Sequence, residues 1–321
     1  MNTNNLYTKN ADKEMKAENS TVEIGIINNS LTNIKSNNQV SINNSLVKNI
    51  SKVLIIAYKE STEQLEKIFT QTGFECEVLR QQIKPEYQNY SHSYLCLMNH
   101  CRAWETAATE TKPTLIIEAD FVPVFEIGKL PLPFDPNQSN VGVSWLYTCA
   151  PQVYSISPQG HAEGFSVSTV AYIVTPLAAK TLLGLAEEIT KKYSSKNYSS
   201  WDSTLDKYLR DRSFKNYMPW RNYGEHGGAP NPEHHQHKLS KTHRADLLYG
   251  KLAFTPIYAA NDKNPVMAFF LVRFQARCKG IARLLLGRFL RPKIVQNSKT
   301  PGKLIRFALF RHFPWNYTKN A

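Results

Sequence analysis

Short, uninterrupted apolar segments alternate with stretches of helical period along the middle of the chain. Residues 53–57 (VLIIA) and 115–117 (LII) are apolar throughout, as is typical of strands buried on both faces of a sheet. Residues 61–73 carry apolar side chains at helical spacing and end in a glycine, and residues 75–79 are predicted to form a second strand. This order of strand, helix and strand predicts a βαβ unit and a parallel sheet.

The same alternation continues beyond residue 90. Thr175 is a favourable N-cap and Pro176 a favourable first residue, so a helix is predicted from there to about residue 188. The other predicted elements are a helix over 94–108, strands over 141–146 and 170–174, and a helix from about residue 200. Together these elements predict an α/β domain over residues 51–265 with a mostly parallel central sheet.

Charge is distributed unevenly over the 321 residues. Residues 1–50 contain five Lys and four acidic residues, residues 51–265 contain 22 basic and 22 acidic residues, and residues 266–321 contain 12 basic residues and no acid. The formal net charge of +13 therefore comes almost entirely from the C-terminal segment. Because phosphate binding needs clustered Lys and Arg, a body without net charge argues against a groove for nucleic acid, and we expect no nucleic-acid partner.

The N-terminal segment is predicted to be a disordered leader. Residues 1–50 include 13 Asn and cannot bury enough apolar surface to offset the entropy of ordering. They lack the apolar core of a secretory signal, the five cysteines show no paired spacing, and no apolar run approaches the roughly 20 residues of a spanning helix. These features predict a cytoplasmic protein of a reducing compartment.

Residues 266–321 are predicted to form a basic amphipathic tail. Apolar residues from Met267 to Phe289 recur at intervals of three and four, and Arg and Lys fill much of the remainder. Such helices bind membrane surfaces, where each cation near an anionic leaflet contributes about 1 kcal/mol. We therefore expect the tail to bind an anionic membrane surface at the inner face, the alternative being a helix packed on the domain. Gly280 and Gly287 predict a bent or broken helix.

Two carboxylates follow the apolar strand at 115–117. Glu118 and Asp120 are two residues apart, so extended backbone would direct both to one face, at the strand end where open α/β sheets place ligands. Carboxylate oxygens suit Mn²⁺ or Mg²⁺, which could bridge a diphosphate. Two solvated acids at a strand-to-loop junction are the alternative on spacing alone.

Ordered sequence blocks over residues 52–209 resemble glycosyltransferase family 25. The blocks are residues 95–104 (LCLMNHCRAW), 115–124 (LIIEADFVPV), 170–174 (VAYIV) with 178–183 (AAKTLL), and Trp201-Asp202. The family includes bacterial lipopolysaccharide and lipooligosaccharide sugar transferases. The resemblance implies a GT-A-like nucleotide-sugar-binding domain and transfer of a sugar, with inversion, to a lipid-linked or polysaccharide acceptor of the cell envelope.

The resemblance also implies roles for individual residues. Glu118 and Asp120 would bind Mn²⁺ or Mg²⁺ and, with Arg102, the nucleotide-sugar donor. His100 would belong to the catalytic site, and Asp202 would deprotonate the acceptor hydroxyl, with Asp206 one turn later as the alternative base. Each of three residues also has a purely structural explanation. His100 could be a buried, hydrogen-bonded histidine, Arg102 an exposed surface arginine, and Asp202 a carboxylate that stabilises the start of a helix.

The chain departs from the family pattern at several positions. Ala119 replaces the middle acid of the family's Glu-Asp-Asp triplet, Asn99 stands where a Ser is usual, and residues 57–59 (AYK) replace an Asn-Leu-Asp-Arg type segment. These departures favour the alternative function, a non-catalytic membrane-bound carbohydrate-binding or scaffold protein on a degenerate transferase fold.

A histidine-rich segment follows the predicted domain core. It lies in a region rich in Gly, Pro and Asn and has no helical ligand spacing, so a solvated loop is predicted there, with a lid over the site as the alternative. Residues 240–246 (SKTHRAD) have the composition of a turn that contacts phosphate or sugar. The histidines are His226, His234, His235, His237 and His243.

Overall fold

The computed structural model describes residues 44–228 and 244–313. The leader predicted over residues 1–50 lies almost wholly outside this part of the chain, as do the histidines between residues 229 and 243. The described residues from Leu46 onward belong to one compact unit.

A central eight-stranded sheet organises this unit, in the order β2-β1-β3-β8-β5-β9-β7-β6. Six of its strands share one direction, while β8 and β7 are antiparallel to both of their neighbours. A separate antiparallel pair joins β4 to β10. The strands are β1 (Val53–Ala57), β2 (Cys76–Arg80), β3 (Thr114–Glu118), β4 (Phe121–Pro123), β5 (Val141–Trp145), β6 (Gln152–Ile156), β7 (Ala162–Phe165), β8 (Ala171–Val174), β9 (Lys215–Met218) and β10 (Gly224–His226).

The helices connect the strands and continue beyond them to the C-terminus. They are α1 (Leu46–Asn49), α2 (Glu63–Gln71), α3 (His92–Ala108), α4 (Pro176–Lys192), α5 (Leu205–Arg210), α6 (Ile257–Ala260), α7 (Pro265–Leu285), α8 (Pro292–Asn297) and α9 (Pro301–His312). Short 3-10 helices cover Pro85–Asn89, Ile127–Lys129 and Trp201–Thr204. Along the described residues no helix is both long enough and apolar enough to span a membrane.

Successive residues of the central strands supply two cores on opposite faces of the sheet. Val53 and Ile55 of β1 pack with α2, whereas Leu54 and Ile56 pack with α3 and α4. Both faces are therefore covered, which explains why β1, β5 and β8 are buried along their whole length. The predicted α/β class and its mostly parallel central sheet are confirmed.

The element boundaries follow the signals in the sequence closely. Strand β1 covers the residues predicted for it, and α4 begins at Pro176 with the Thr175 side chain accepting a hydrogen bond from the amide of Ala178. The predicted tail is helical and is broken at Gly287, which has a positive φ of 63° just after α7 ends at Leu285, whereas Gly280 lies inside α7 and does not break it. Helices α8 and α9 follow this break.

Part of the C-terminal segment is packed on the sheet. Leu304, Phe307 and Ala308 of α9 form a small core with Val153 of β6 and Met218 of β9. Through α9, the segment thus includes the domain-packed arrangement that the sequence left as an alternative. Helix α7 is packed differently, as described below.

Candidate functional site

The candidate site lies where β3 ends. Glu118 is the last residue of β3, and the amide of Ala119 still donates to the carbonyl of Ile56 on β1. Residues 119 and 120 then turn the chain into β4, so the extended backbone assumed for the Glu118–Asp120 pair stops at Glu118. The two carboxylates consequently have different surroundings.

A hydroxyl and an imidazole group hold Glu118. Its Oε1 accepts a hydrogen bond from the hydroxyl of Thr169 at 3.0 Å and lies 3.4 Å from Nε2 of His100. His100, on α3, has no exposed surface, and its Nδ1 lies 2.9 Å from the hydroxyl of Tyr172. Trp104, one turn further along α3, donates its indole N–H to the same hydroxyl at 2.8 Å.

The direction of these hydrogen bonds fixes the histidine tautomer. The indole of Trp104 can only donate, so the Tyr172 oxygen accepts from it and directs its own proton to Nδ1 of His100. Nε2 then carries the second proton and points it at Glu118. His100 therefore holds the Glu118 carboxylate from the side of α3. It is a buried, hydrogen-bonded histidine and at the same time a neighbour of the candidate site.

Asp120 is held by cations instead. Its Oδ2 lies 2.9 Å from Nε2 of His226 on β10, and Arg244 donates to the backbone carbonyls of His226 and Gly228. Burial alone would raise the pKa of Asp120, but the charges of His226 and Arg244 hold it below its usual value. Burial likewise disfavours protonated His226, yet Asp120 raises its pKa above the usual value. Each residue thus stabilises the charged form of the other.

The other oxygen of Asp120 has no such partner. Its Oδ1 is buried and accepts no hydrogen bond from the described residues. The hydroxyl of Tyr147, which is fully buried, also has no hydrogen-bond partner among them. A side chain at Gly228 would collide with Asp120, because a Cβ there would lie 2.1 Å from Oδ2. A buried carboxylate oxygen without a donor is costly unless a ligand satisfies it.

A second buried ion pair supports His226 from behind. Glu225, also on β10, has no exposed surface; it pairs with Arg273 of α7 and accepts a hydrogen bond from the amide of Ala245 at 2.8 Å. Burial raises the pKa of Glu225, although Arg273 opposes the effect. Helix α7 is in this way tied to the strand that carries His226.

Asp202 lies in the 3-10 helix before α5 and accepts a hydrogen bond from the amide of Ser203. Burial raises its pKa to about 6, and the negative charge of Glu118 adds to the shift, so the two carboxyls are near enough to interact. The charges of Glu118, Asp202 and Asp120 all raise the pKa of the Cys96 thiol, after the larger effect of its burial. These residues form one acidic neighbourhood.

Two other candidates from the sequence are engaged elsewhere. The guanidinium of Arg102 donates to the backbone carbonyl of Arg80 at the end of β2, at 2.8 Å. Asp206 is buried and bonded to Arg210 at 2.8 Å and to Asn216 at 2.9 Å. Asp206 is therefore a structural carboxylate, since its oxygens are already used, and the alternative base is dropped in favour of Asp202.

Metal-ligating side chains come together at Glu118. Cys96, His100 and Glu118 each place one potential ligand atom within 4.8 Å of the others. A Cys and a His would suit zinc, but His100 directs a proton at Glu118 and burial keeps the Cys96 thiol protonated. The hard oxygen of Asp120, which no described group satisfies, fits Mn²⁺ or Mg²⁺ better.

The sequence-based interpretation of His226 as part of a solvated loop is wrong. Residues 224–226 form strand β10, whose register places His226 opposite Phe121 of β4, next to Asp120. The strand has only three residues and is followed by a Gly-rich sequence, so the composition of this region indicated a loop and gave no sign of the strand. Arg244, which belongs to the segment predicted to be a turn over 240–246, reaches the site, and its positive charge was the available signal in the sequence.

No family model matches the chain, and no curated protein matches it. Among solved structures, the chain is similar to the crystal structure of a glycosyltransferase involved in the glycosylation of the major capsid of PBCV-1. The two share 11% sequence identity with a TM-score of 0.37, and the match covers 53% of this chain and 83% of that chain.

Proposed function

We propose that this protein is a glycosyltransferase that moves a sugar from a nucleotide-sugar donor to a lipopolysaccharide or another cell-envelope glycan. The donor and acceptor classes follow from the resemblance of residues 52–209 to glycosyltransferase family 25. The observation that carries the proposal is the buried Oδ1 of Asp120, which lacks a partner among the described residues, beside Glu118 at the end of a central strand.

Glu118 and Asp120 fit the proposed cation. Asp120 offers the unsatisfied Oδ1, and the hydrogen bonds found for Glu118 both end on Oε1, which leaves Oε2 for a ligand. Held there, Mn²⁺ or Mg²⁺ would supply positive charge to the departing nucleoside diphosphate. His100 and Thr169 orient the Glu118 carboxylate, and His226 orients that of Asp120. Arg102 of α3, whose guanidinium lies at the end of β2, is proposed to contact the donor.

Asp202 is proposed as the base. It takes the proton of the acceptor hydroxyl while the acceptor oxygen bonds to the anomeric carbon and the bond from that carbon to the phosphate oxygen breaks. The nucleoside diphosphate leaves with the electron pair, and attack opposite to it inverts the anomeric centre. A pKa of about 6 leaves Asp202 ionised at neutral pH yet more basic than an ordinary aspartate. A lipid-linked acceptor would place this reaction at the cytoplasmic face of a membrane.

The proposal is tested by thermal shift of the full chain with UDP-, GDP-, CMP- and dTDP-sugars, each with Mn²⁺ and with EDTA. A ligand that binds only the native state raises its stability by about 2.7 kcal/mol at a concentration of 100 times Kd. For a chain of this size we expect a rise in Tm of about 4–8 °C with one donor and Mn²⁺, and little rise in EDTA.

The variants Glu118→Gln and Asp120→Asn should lose the metal-dependent rise, whereas Glu63→Gln, an exposed acid on α2, should keep it. Failure of every nucleotide sugar to shift the wild type would contradict the proposal. Donor-independent binding of a glycan, unchanged in the two site variants, would instead support the non-catalytic carbohydrate-binding alternative that Ala119 favours.

A further inference from the structure

Helix α7 is packed with its cationic face inward and its apolar face outward. Its period places arginines on one side and large apolar residues on the other, and an amphipathic helix of a globular protein normally buries the apolar side. Here the arrangement is reversed, and three sets of contacts show how.

The arginines of α7 bind groups of the protein body. Arg273 pairs with buried Glu225, and Arg277 donates to the backbone carbonyl of His312. Arg283 donates to the carbonyl of Ala150 at 3.0 Å. These contacts tie all three arginines to the body, so α7 keeps its orientation without burying an apolar stripe.

Small residues let the same face approach the body closely. Ala276 is 5% exposed, and Gly280 is buried against Asp246. A Cβ at Gly280 would lie 2.7 Å from the Cβ of Asp246, a separation that real side chains do not adopt. Glycine at this helical position is therefore explained by packing, in spite of its cost of about 1 kcal/mol in helix propensity.

The outward face is apolar, and none of the residues that the structure describes covers it. Met267, Phe270, Leu271 and Phe274 are 64%, 64%, 53% and 67% exposed, within two turns of helix. Leu285, near the C-terminal end of α7, is 78% exposed. Single exposed apolar residues are ordinary, but a run of large ones on one helix face marks a surface that meets an apolar partner.

The charge of this region indicates which partner that is. Residues 266–321 contain 12 basic residues and no acid, and the exposed cations include Lys279, Arg288, Lys293 and Lys303. Helix α9 repeats the combination, because Ile305 and Leu309 are 43% and 50% exposed beside Arg306. A second copy of this surface would bring like charges together, whereas an anionic bilayer offers both hydrocarbon and negative charge.

We infer that the outward face of α7 is a lipid-binding surface, on which Phe270, Leu271 and Phe274 insert into the interface of an anionic bilayer while the exposed lysines contact its headgroups. The inward arginines keep the helix tied to the body as it does so. This inference does not depend on sugar transfer, so its failure and that of the proposed function are distinguishable.

Co-sedimentation of the full chain with vesicles tests the inference. The vesicles contain either phosphatidylcholine alone or phosphatidylcholine with about 30% phosphatidylglycerol, a fraction that gives a clearly negative surface. We expect binding to the anionic vesicles and at least about tenfold weaker binding by the triple variant Phe270→Ser, Leu271→Ser, Phe274→Ser. Neutralising Lys279, Lys293 and Lys303 to Gln should weaken binding about tenfold or more at low salt.

Two matched controls distinguish binding through this surface from non-specific binding of the protein to vesicles. Ile83→Ser, Phe125→Ser and Leu177→Ser together remove equally exposed apolar residues elsewhere and should leave binding within about twofold. Lys59→Gln, Lys84→Gln and Lys180→Gln remove exposed charge from the body. Because the replaced side chains are exposed, circular dichroism and Tm should match the wild type.

Three results would overturn the inference. They are absence of wild-type binding to the anionic vesicles, equal loss in the α7 and control variants, and a lipid-free dimer that the α7 variant converts to a monomer while vesicles bind neither form. The last result would assign the surface to contacts between copies of this chain. Light scattering of wild type and variant provides that measurement.

Discussion

Glu118 and Asp120 stand two residues apart at the end of one strand, yet opposite kinds of neighbour hold them. Hydroxyl and imidazole groups position Glu118, in a chain that runs from Trp104 through Tyr172 and His100. Cations position Asp120, which forms an ion pair with His226. Both arrangements use one carboxylate oxygen and leave the other, Oε2 of Glu118 and Oδ1 of Asp120, for a ligand.

This difference divides the site into a reactive side and a supporting side. The Glu118 side also contains Asp202, whose pKa burial raises to about 6. The Asp120 side continues through Glu225 and Arg273 to α7, so it joins the strand end to the C-terminal helices. We expect substitutions of Glu118 and Asp120 to affect donor binding and turnover, and substitutions of Glu225 and Arg273, which lie behind Asp120, to affect stability.

The largest expected effect is that of Asp202→Asn on turnover. Loss of the base should lower kcat about 10³–10⁴-fold, and in the wild type kcat/KM should rise as pH increases through about 6, where Asp202 loses its proton. Steady-state kinetics from pH 5 to 8 measure both. Asp211→Asn, at an exposed carboxylate just after the end of α5, should be close to wild type. A pH profile without an inflection near 6 would remove Asp202 from the role of base.

The second effect concerns the supporting side. Glu225→Ala leaves the guanidinium of Arg273 without its buried counter-charge, and removal of one partner of such a pair costs about 3–5 kcal/mol of unfolding free energy. Urea unfolding measures the loss, and Glu63→Ala on exposed α2 should change stability by less than about 0.5 kcal/mol. A cost below about 1 kcal/mol would show that the Glu225–Arg273 pair does not hold α7.

The third effect concerns the hydrogen bonds that join Trp104, Tyr172 and His100. Tyr172→Phe removes the hydroxyl that joins Trp104 to His100 and leaves two buried polar groups unsatisfied, at a cost of about 2–3 kcal/mol. The matched control is Tyr58→Phe, whose ring is 48% exposed. Because His100 would lose its fixed tautomer, kcat should fall more in the Tyr172 variant than in a core variant of equal stability. Unchanged kcat would mean that the network only packs the core.

The smallest effect is a pH dependence of the Asp120–His226 pair. The lowered pKa of Asp120 gives stability that is lost as pH falls through it, and the raised pKa of His226 gives stability that is lost as pH rises through it. The full contribution, about 1.5 kcal/mol for one charged hydrogen bond, is therefore present between about pH 4 and 6.5. The difference in Tm between wild type and His226→Gln should be greatest in that window and smaller at pH 8.5. His92→Gln, at an exposed position, provides the control, and a pH-independent difference would argue against the ion pair.

The parallel part of the fold was predictable because its signals are local. An uninterrupted apolar run specifies β1, and the Thr175–Pro176 cap specifies the start of α4. Short strands of mixed composition, such as β10, depend on pairing with a distant partner, and nothing within residues 224–226 indicates β4. The assignment of His226 to a loop failed for that reason.

The candidate site was predictable to the same degree. The structure places His100 against Glu118 and Asp202 within the electrostatic reach of Glu118, but the extended backbone that the spacing assumed ends at Glu118, and the partners of these residues were not apparent. The direction of the bond from His100 to Glu118 depends on Tyr172, which is 72 residues away in the chain. The inward orientation of the α7 arginines depends on Glu225, which no helical period can indicate.

Asp246 gives the C-terminal helices a consequence for deletion experiments. Its carboxylate accepts hydrogen bonds from Arg311 of α9, from Asn222 and from the amide of Leu247, and Gly280 of α7 packs against it. Arg311 is wholly buried. A chain shortened before residue 311 would keep this acid inside the protein without its counter-charge. Helix α9 therefore stabilises the rest of the protein. Its removal would lower the free energy of unfolding, so a deletion could not separate that loss from a role at a membrane.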